Sequence, residues 1–252
     1  YKFTFMKHFL LLFFIFPLLI FGQNTIIFSE YSEGSSFNKY IEIYNPTSSP
    51  INLDEYHYNF CWNGCDNSQW EFSIPFDSNT VLMPQETYVV IHYNADSLLL
   101  SPNYQTTNLM SNGNDVSAIF HVSTNSVVDI IGEFSDISPS NGWDIGSELN
   151  ATKDHTLIRD PNVCSGNNGN WSLSDGSLGD PEWILYPVDY FDDINTHTSN
   201  CNSGTMIIDN YKKPKLILIK DMLGRDVINS KNSILFNIYD DGSVEKKIIL
   251  NH

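Results

Sequence analysis

The sequence predicts an all-β protein in which two sheets pack face to face, followed by a small β unit at the C-terminal end. Short runs of β-branched and aromatic residues alternate with turn-forming residues, and the chain after residue 22 has no long apolar period of 3.6 residues. Side chains also alternate within several runs. In the run 40–44, Ile41 and Ile43 face one way and Glu42 faces the other. Such strands bury one face of each sheet against the other.

Seven strands are the clearest in the main part of the chain. Turn formers that accept tight or left-handed backbone separate them, namely Asn45-Pro46, Asn63-Gly64, Asn112-Gly113 and Asn167-Asn168-Gly169. In chain order the predicted strands are 25–28, 40–44, 87–92, 117–122, 127–131, 156–159 and 183–186. Three more strands are predicted in the tail, over 215–220, 233–238 and 244–250, where Asp241-Gly242 is a hairpin signal.

The N-terminal residues have the pattern of a secretory signal peptide over 6–22, within a leader of residues 1–22. Lys7 follows Met6, thirteen almost wholly apolar residues (9–21) come next, and the small Gly22 follows them. The apolar run is shorter than the roughly 18 residues that a membrane-spanning helix needs, and Pro17 interrupts it. We therefore expect a cleaved signal and no permanent transmembrane segment.

Charge divides the rest of the chain after residue 204. Residues 23–204 hold three cations (Lys39, Lys153 and Arg159) and 24 carboxylates, which gives a net charge of −21. Residues 205–252 hold eight cations and six carboxylates, which gives a net charge of +2. We predict a main domain over 23–198, a linker over 199–211 and a second domain over 212–252. The acidic body disfavours nucleic-acid binding, because nucleic acids are polyanions.

Four cysteines, an even number, follow the predicted signal peptide. In an oxidising compartment this predicts two disulfides. The simplest of three connectivities joins Cys61 to Cys65 and Cys164 to Cys201. A four-cysteine zinc site is the alternative, but zinc knuckles normally hold two cysteines each, and Cys164 and Cys201 are far apart in the sequence.

The ordered motifs of residues 24–198 resemble the bacterial lamin tail domain, an immunoglobulin-like β-sandwich. The departures are Gln85, where the family usually has Gly after a proline, and the Cys61 to Cys65 insertion. The motifs are the opening 27–36 and 39–47, then 51–53 with Tyr56, the proline turn 81–84 before 88–91, Asn112-Gly113-Asn114-Asp115 before 117–119, the strand 128–132, Trp143, and the segments 152–159 and 182–187.

Residues 212–252 resemble a type A C-terminal sorting domain of the Bacteroidetes type IX secretion system. The resemblance lies in 215–220, Asp221-Met222-Leu223-Gly224-Arg225 and 239–249. It implies recognition by the secretion machinery after entry into the periplasm, passage across the outer membrane, and removal of the domain at release or attachment. The residues that carry this sorting signal are Lys215, Asp221, Gly224, Arg225, Asp241, Gly242, Lys246 and Lys247.

Few residues suggest catalysis. The histidines show no metal-ligand spacing, and neither a nucleophile elbow nor a phosphate-binding glycine loop is present. We predict that His92 and His121 lie at strand ends and that Asp154-His155 forms a turn before a strand. We predict no catalytic, cofactor or metal residues, although the acidic body leaves calcium binding open.

We therefore expect a non-catalytic binding or anchoring module, secreted or at the outer-membrane surface, with an extracellular protein or glycan as ligand. Trp143 and Trp183 are predicted core residues. The candidate binding residues, in turn-rich inserts between strands, are Trp62, Trp70, Asn112, Asn114 and Asp115. The alternatives are an extracellular metal-dependent hydrolase that uses the acidic surface and a calcium-binding, adhesin-like surface protein.

Overall fold

The computed structural model describes residues 25–96, 104–107, 111–201, 216–225, 233–239, 242 and 244–249. In these residues the regular structure is β-strand, apart from short 3₁₀ turns at Leu53–Glu55, Asp66–Ser68 and Trp171–Leu173. The predicted all-β fold is therefore confirmed. No helix in this part of the chain is long and apolar enough to cross a membrane. The predicted signal peptide, 6–22, lies outside the described residues.

The chain divides into two compact units, Tyr1–Gly204 and Thr205–His252. The strands of the first unit are β1 Ile27–Glu33, β2 Lys39–Tyr44, β3 Ile51–Asn52, β4 Tyr56–Cys61, β5 Phe72–Pro75, β6 Val81–Leu82, β7 Thr87–His92, β8 Tyr104–Thr107, β9 Val116–His121, β10 Ser126–Ile131, β11 His155–Arg159 and β12 Trp183–Pro187. The strands of the second unit are β13 Leu216–Asp221, β14 Ser233–Tyr239 and β15 Val244–Ile249.

Two sheets make up the body of the first unit. The larger has the strand order β12-β11-β1-β2-β7-β8, and the smaller has the order β10-β9-β4-β5. Neighbours are antiparallel except β7 and β8, which run parallel. β3 and β6 form a separate two-stranded ribbon. This is the arrangement of an immunoglobulin-like sandwich, as the sequence predicted.

The core lies between the two sheets. Alternate side chains of the large sheet supply one half, among them Phe28, Tyr31, Ile41, Ile43, Tyr88, Val90 and Leu157, and the small sheet supplies Tyr58, Phe60, Ala118, Ile119, Val128 and Ile130. Trp143 and Trp183 are only 8% and 3% exposed and belong to this core, which confirms their predicted role.

A buried ion pair also joins the two sheets. Arg159 of β11 and Asp129 of β10 are both fully buried, and Arg159 Nη1 lies 3.0 Å from Asp129 Oδ2. Arg159 Nη2 donates to Glu182 Oε2 at 2.7 Å, and its guanidinium lies 4.6 Å from the ring centre of Trp183. Asp129 also accepts bonds from the Phe28 and Asn167 backbone N–H groups. The network offsets the desolvation of both charges.

The outer face of the large sheet is covered by residues 189–201, which we call the strap. Phe191 and Ile194 pack on a second apolar cluster, formed by Tyr40, Val89 and Ile91. The His197 ring meets Tyr44 edge-on, with 4.7 Å between ring centres. At the far end of the strap, the Cys164–Cys201 disulfide ties it to the loop that follows β11. Both faces of the large sheet are therefore packed at its central strands β1 and β2, in which every residue is buried.

The second unit is a three-stranded antiparallel sheet with the order β13-β14-β15. Its strands lie within a residue or two of the predicted 215–220, 233–238 and 244–250. Leu235 and Asn237 are its buried side chains among the described residues. A sheet of this size has little core of its own.

Candidate functional site

One end of the small sheet brings together three loops. β4 ends there, β5 and β9 begin there, and β10 ends there, because neighbouring strands run antiparallel. The loops are residues 62–71, 111–115 and 132–143, and we call them together the loop end. It joins the two segments that the sequence singled out for binding. Asn63 N–H donates to Asp115 Oδ1 at 2.9 Å, and Asn114 Nδ2 donates to Asn63 Oδ1 at 3.0 Å.

The first of these loops is fixed by the Cys61–Cys65 disulfide, whose two cysteines are fully buried. Its turn uses left-handed backbone at Asn63 and Gly64, with φ of 54° and 104°. A Cβ on Gly64 would lie 3.0 Å from the Ser135 carbonyl oxygen, so glycine allows the close approach of the neighbouring loop. Both predicted disulfides are confirmed, and no cysteine is left for a zinc site.

The loop end exposes aromatic and apolar side chains. Trp62 is 42% exposed, and its ring rests edge-on against Phe72 at 4.7 Å. Trp70 is half-buried and tilts against Phe134 at 4.5 Å, and Phe134 itself is 38% exposed. Ile137 on the same loop is 77% exposed. Rings held against other rings lose little conformational entropy on binding, which suits them to contact a ligand.

The structure corrects the expectation that Asn112, Asn114 and Asp115 all lie on an open binding surface. Asn112 is exposed, but Asn114 and Asp115 are only 8% and 4% exposed, so they are not an open contact surface. Asp115 accepts bonds from the Asn63 and Asn112 N–H groups, and its carbonyl accepts a bond from Trp143 Nε1. Burial raises the pKa of the Asp115 carboxyl. Asp115 and the Asn114 amide nitrogen hold the loops together, because they bond to groups on the neighbouring loops.

The loop end is acidic. Its three loops contain Asp66, Glu71, Asp115, Glu133 and Asp136 and have neither Lys nor Arg. Two of these carboxylates stabilise backbone: Glu71 Oε2 accepts from Trp62 N–H at 2.8 Å, and Asp136 Oδ1 accepts from Ser68 N–H at 3.1 Å. All except Asp115 are exposed. A ligand at this surface therefore meets aromatic rings surrounded by hydrogen-bond acceptors.

Within the described ranges, no group of three or more His, Cys, Asp or Glu side chains is arranged to hold a metal ion. His92 and His121 are the last residues of β7 and β9, and His155 begins β11, in the positions that the sequence predicted. Asp154 has a left-handed φ of 55°, as the predicted turn requires, and its N–H donates to Glu33 Oε2 at 2.6 Å.

Part of the predicted sorting signal forms a turn in the second unit. Asp221 accepts bonds from the Leu223 and Arg225 N–H groups and from Arg225 Nε, and these bonds lower the pKa of its carboxyl. Gly224 has a left-handed φ of 77°. Gly242 is also left-handed, and Lys246 is exposed. Lys215, Asp241 and the side chain of Lys247 lie outside the described residues.

The first unit is thus an immunoglobulin-like β-sandwich that presents a loop-bearing end, a class of architecture compatible with non-catalytic binding. The family model for the Lamin Tail Domain matches residues 21–134. This stretch runs through β10 and includes the loops 62–71 and 111–115, and the match supports the resemblance seen in the sequence. β11 and β12 lie beyond it. No curated protein matches the chain.

Proposed function

We propose that this protein is a secreted or cell-surface binding module without catalytic activity, and that the loop end is its contact surface. The observation that carries the proposal is the exposure of Trp62, Phe134 and Ile137 on loops held by a disulfide and by Asp115. Exposed apolar groups on fixed loops commonly mark interaction sites. The Lamin Tail Domain match is compatible with such a role.

The surface chemistry limits the ligand. Aromatic rings offer stacking faces, and the exposed carboxylates accept hydrogen bonds from hydroxyl or ammonium groups. A glycan or a neutral to basic protein segment fits this surface. A nucleic acid does not fit it, because the acidic loops would repel phosphates.

We propose further that the sandwich reaches the cell surface by two signals. The signal peptide 6–22 directs export across the inner membrane, and the domain 212–252 directs passage through the type IX secretion machinery. Support comes from the N-terminal motif, from the basic C-terminal sequence, and from two disulfides, which persist in oxidising compartments.

Binding is tested on glycan and protein arrays with the chain from residue 23 to residue 252. The Trp62→Ala variant should bind a captured ligand at least about fivefold more weakly, since the loss of an aromatic anchor worth more than about 1 kcal/mol weakens binding by at least that factor. Leu178→Ala is the control, because Leu178 is 67% exposed but outside the loop end. Equal losses of binding affinity in the two variants would contradict the assignment of the loop end as the binding site.

Export is tested by fractionating cells that express the chain with and without residues 212–252. We expect the full chain at the surface or in the medium and the truncated chain in the periplasm. Unchanged surface appearance after truncation would reject the sorting role. Metal-dependent hydrolysis of nucleic acid or polysaccharide, abolished by one carboxylate substitution, would instead establish the hydrolase alternative.

A further inference from the structure

Two glutamates lie side by side beneath the strap. Glu30 of β1 and Glu42 of β2 are Cα partners in the antiparallel register, so their side chains leave the same face of the sheet. That face is the outer one, away from the sandwich core. Even so, Glu30 is 1% exposed and Glu42 is 0% exposed, because the strap covers them.

The contacts of the two carboxyls differ. Glu42 accepts bonds from Ser29 Oγ at 2.7 Å and from the Asn195 N–H of the strap at 2.6 Å. Glu30 Oε2 accepts a bond from the Tyr40 hydroxyl at 2.7 Å, while Glu30 Oε1 is buried without a partner. In the described part of the chain, neither carboxyl forms an ion pair with Lys or Arg.

Two neighbouring buried carboxyls without a cation resist carrying two negative charges. Burial raises the pKa of Glu30 to about 8, and burial followed by the charge of Glu30 raises the pKa of Glu42. Glu42 has two donors that stabilise its ionised form, whereas Glu30 has one. Ionisation of one glutamate therefore opposes ionisation of the other, and the pair keeps a proton near neutral pH.

The other titratable groups around the pair supply no positive charge. On the sheet, burial and then the charge of Glu30 raise the pKa of Tyr40. On the strap, Asp193 adds negative charge that acts on Glu30, Glu42 and Tyr40. Burial, with the nearby charge of Arg159, lowers the pKa of His197 to about 4, so this imidazole is neutral near pH 7.

We propose that the strap is a proton-dependent cover: it stays closed over the outer face of the large sheet while the pair of Glu30 and Glu42 keeps a proton, and it loosens when that proton is lost. Loosening exposes the apolar cluster of Tyr40, Val89 and Ile91. The Cys164–Cys201 disulfide keeps the far end of the strap attached, so it opens as a tethered segment. This device is independent of the loop end and of the binding function proposed for it.

The direction of the pH dependence follows from proton linkage. With the strap open, water reaches Glu30 and its pKa returns toward the ordinary 4.5, whereas with the strap closed it is about 8. The closed form therefore binds one more proton than the open form between these values. The equilibrium constant for opening the strap therefore rises about tenfold for each pH unit in this window, and it becomes constant above the window.

Hydrogen exchange of the full chain, read by mass spectrometry over the strap, measures this opening. After correction for intrinsic exchange, protection of the amides around Asn195 should fall about tenfold as the pH rises from 6 to 7 and less steeply as it approaches 8. Glu30→Gln, which imitates the protonated carboxyl, should keep the strap protected and remove most of this slope. Glu148→Gln changes an exposed carboxyl and should behave like the unaltered protein.

Three results would overturn the proposal. The first is strap protection that does not vary between pH 6 and pH 9, and the second is a Glu30→Gln variant that retains the full slope. The third is closure by calcium ions at pH 9, which would assign the site to a cation instead of a proton. If Glu30→Gln does not fold, NMR of the unaltered chain with ¹³C-labelled Glu carboxyls decides the question. A carboxyl that titrates near pH 8 supports the proposal, and the absence of one rejects it.

Discussion

Arg159 is fully buried between the sheets and pairs with Asp129 across the core. Replacing it with Met should lower the free energy of unfolding by about 3–5 kcal/mol, because Asp129 would remain buried without its counter-charge. Urea denaturation followed by tryptophan fluorescence measures the loss.

The Arg159→Met, Asp129→Asn double variant should lose less stability than the two single variants together, because it leaves no unpaired charge in the core. Lys153→Met removes a cation from a half-exposed position and should change stability by less than about 1 kcal/mol. Similar losses for Arg159→Met and Lys153→Met would show that the buried pair does not stabilise the fold.

Single residues differ in how far the sequence alone predicts them. The cysteine pairs and the buried Trp143 and Trp183 were predicted correctly, because cysteine number and aromatic positions within strands carry direct structural information. The burial of Asn114 and Asp115 was not predicted, because a turn sequence does not show which loop will pack against it. Gln85, where the resembled family usually has Gly, retains a left-handed φ of 64°.

At the scale of elements, the strap depends on the Cys164–Cys201 disulfide, which closes a loop with a sequence separation of 37. Replacing both cysteines with Ala should lower the free energy of unfolding by about 2–4 kcal/mol, because the unfolded chain gains conformational freedom. Calorimetry gives the stability, and hydrogen exchange over residues 189–201 should show the largest local increase.

Asn200→Ala is the matched control for that experiment. It removes the 2.9 Å bond from Asn200 Nδ2 to Asn162 Oδ1 beside the disulfide but leaves the covalent link intact. The Asn200→Ala substitution should lower the free energy of unfolding by only about 1 kcal/mol. A double cysteine variant as stable as the unaltered protein would show that packing alone holds the strap.

Strands with continuous β-branched runs were located to within two residues at most ends, as at Thr87–His92. Five strands of the first unit were not among the predictions, and two of these, Ile51–Asn52 and Val81–Leu82, are only two residues long. The longer three are Tyr56–Cys61, Phe72–Pro75 and Tyr104–Thr107. Each mixes polar residues with aromatic or small ones, so its local β signal is weak. Pairing with β9 or β7 supplies the hydrogen bonds that hold these segments extended.

At the scale of the whole molecule, the acidic charge should make stability depend on salt. The full chain carries a net charge of −17, and residues 23–204 alone carry −21. Raising NaCl from about 10 to about 150 mM should raise the unfolding temperature, because salt screens repulsion among exposed carboxylates.

Calcium chloride at equal ionic strength is the control. A further rise in the unfolding temperature would favour the calcium-binding alternative, whereas an equal rise attributes the effect to screening. An unfolding temperature that neither salt changes would show that the exposed carboxylates do not repel one another appreciably.

The sequence by itself determined the all-β class, most of the strands, both disulfide pairs and the change of charge after residue 204, because alternation, cysteine number and charge are local or additive properties of the chain. Only the tertiary structure decided that Arg159 meets Asp129, that Asp115 joins three loops, and that the strap buries Glu30 beside Glu42. These contacts join residues distant along the chain, and pattern alone does not show which distant segments will meet.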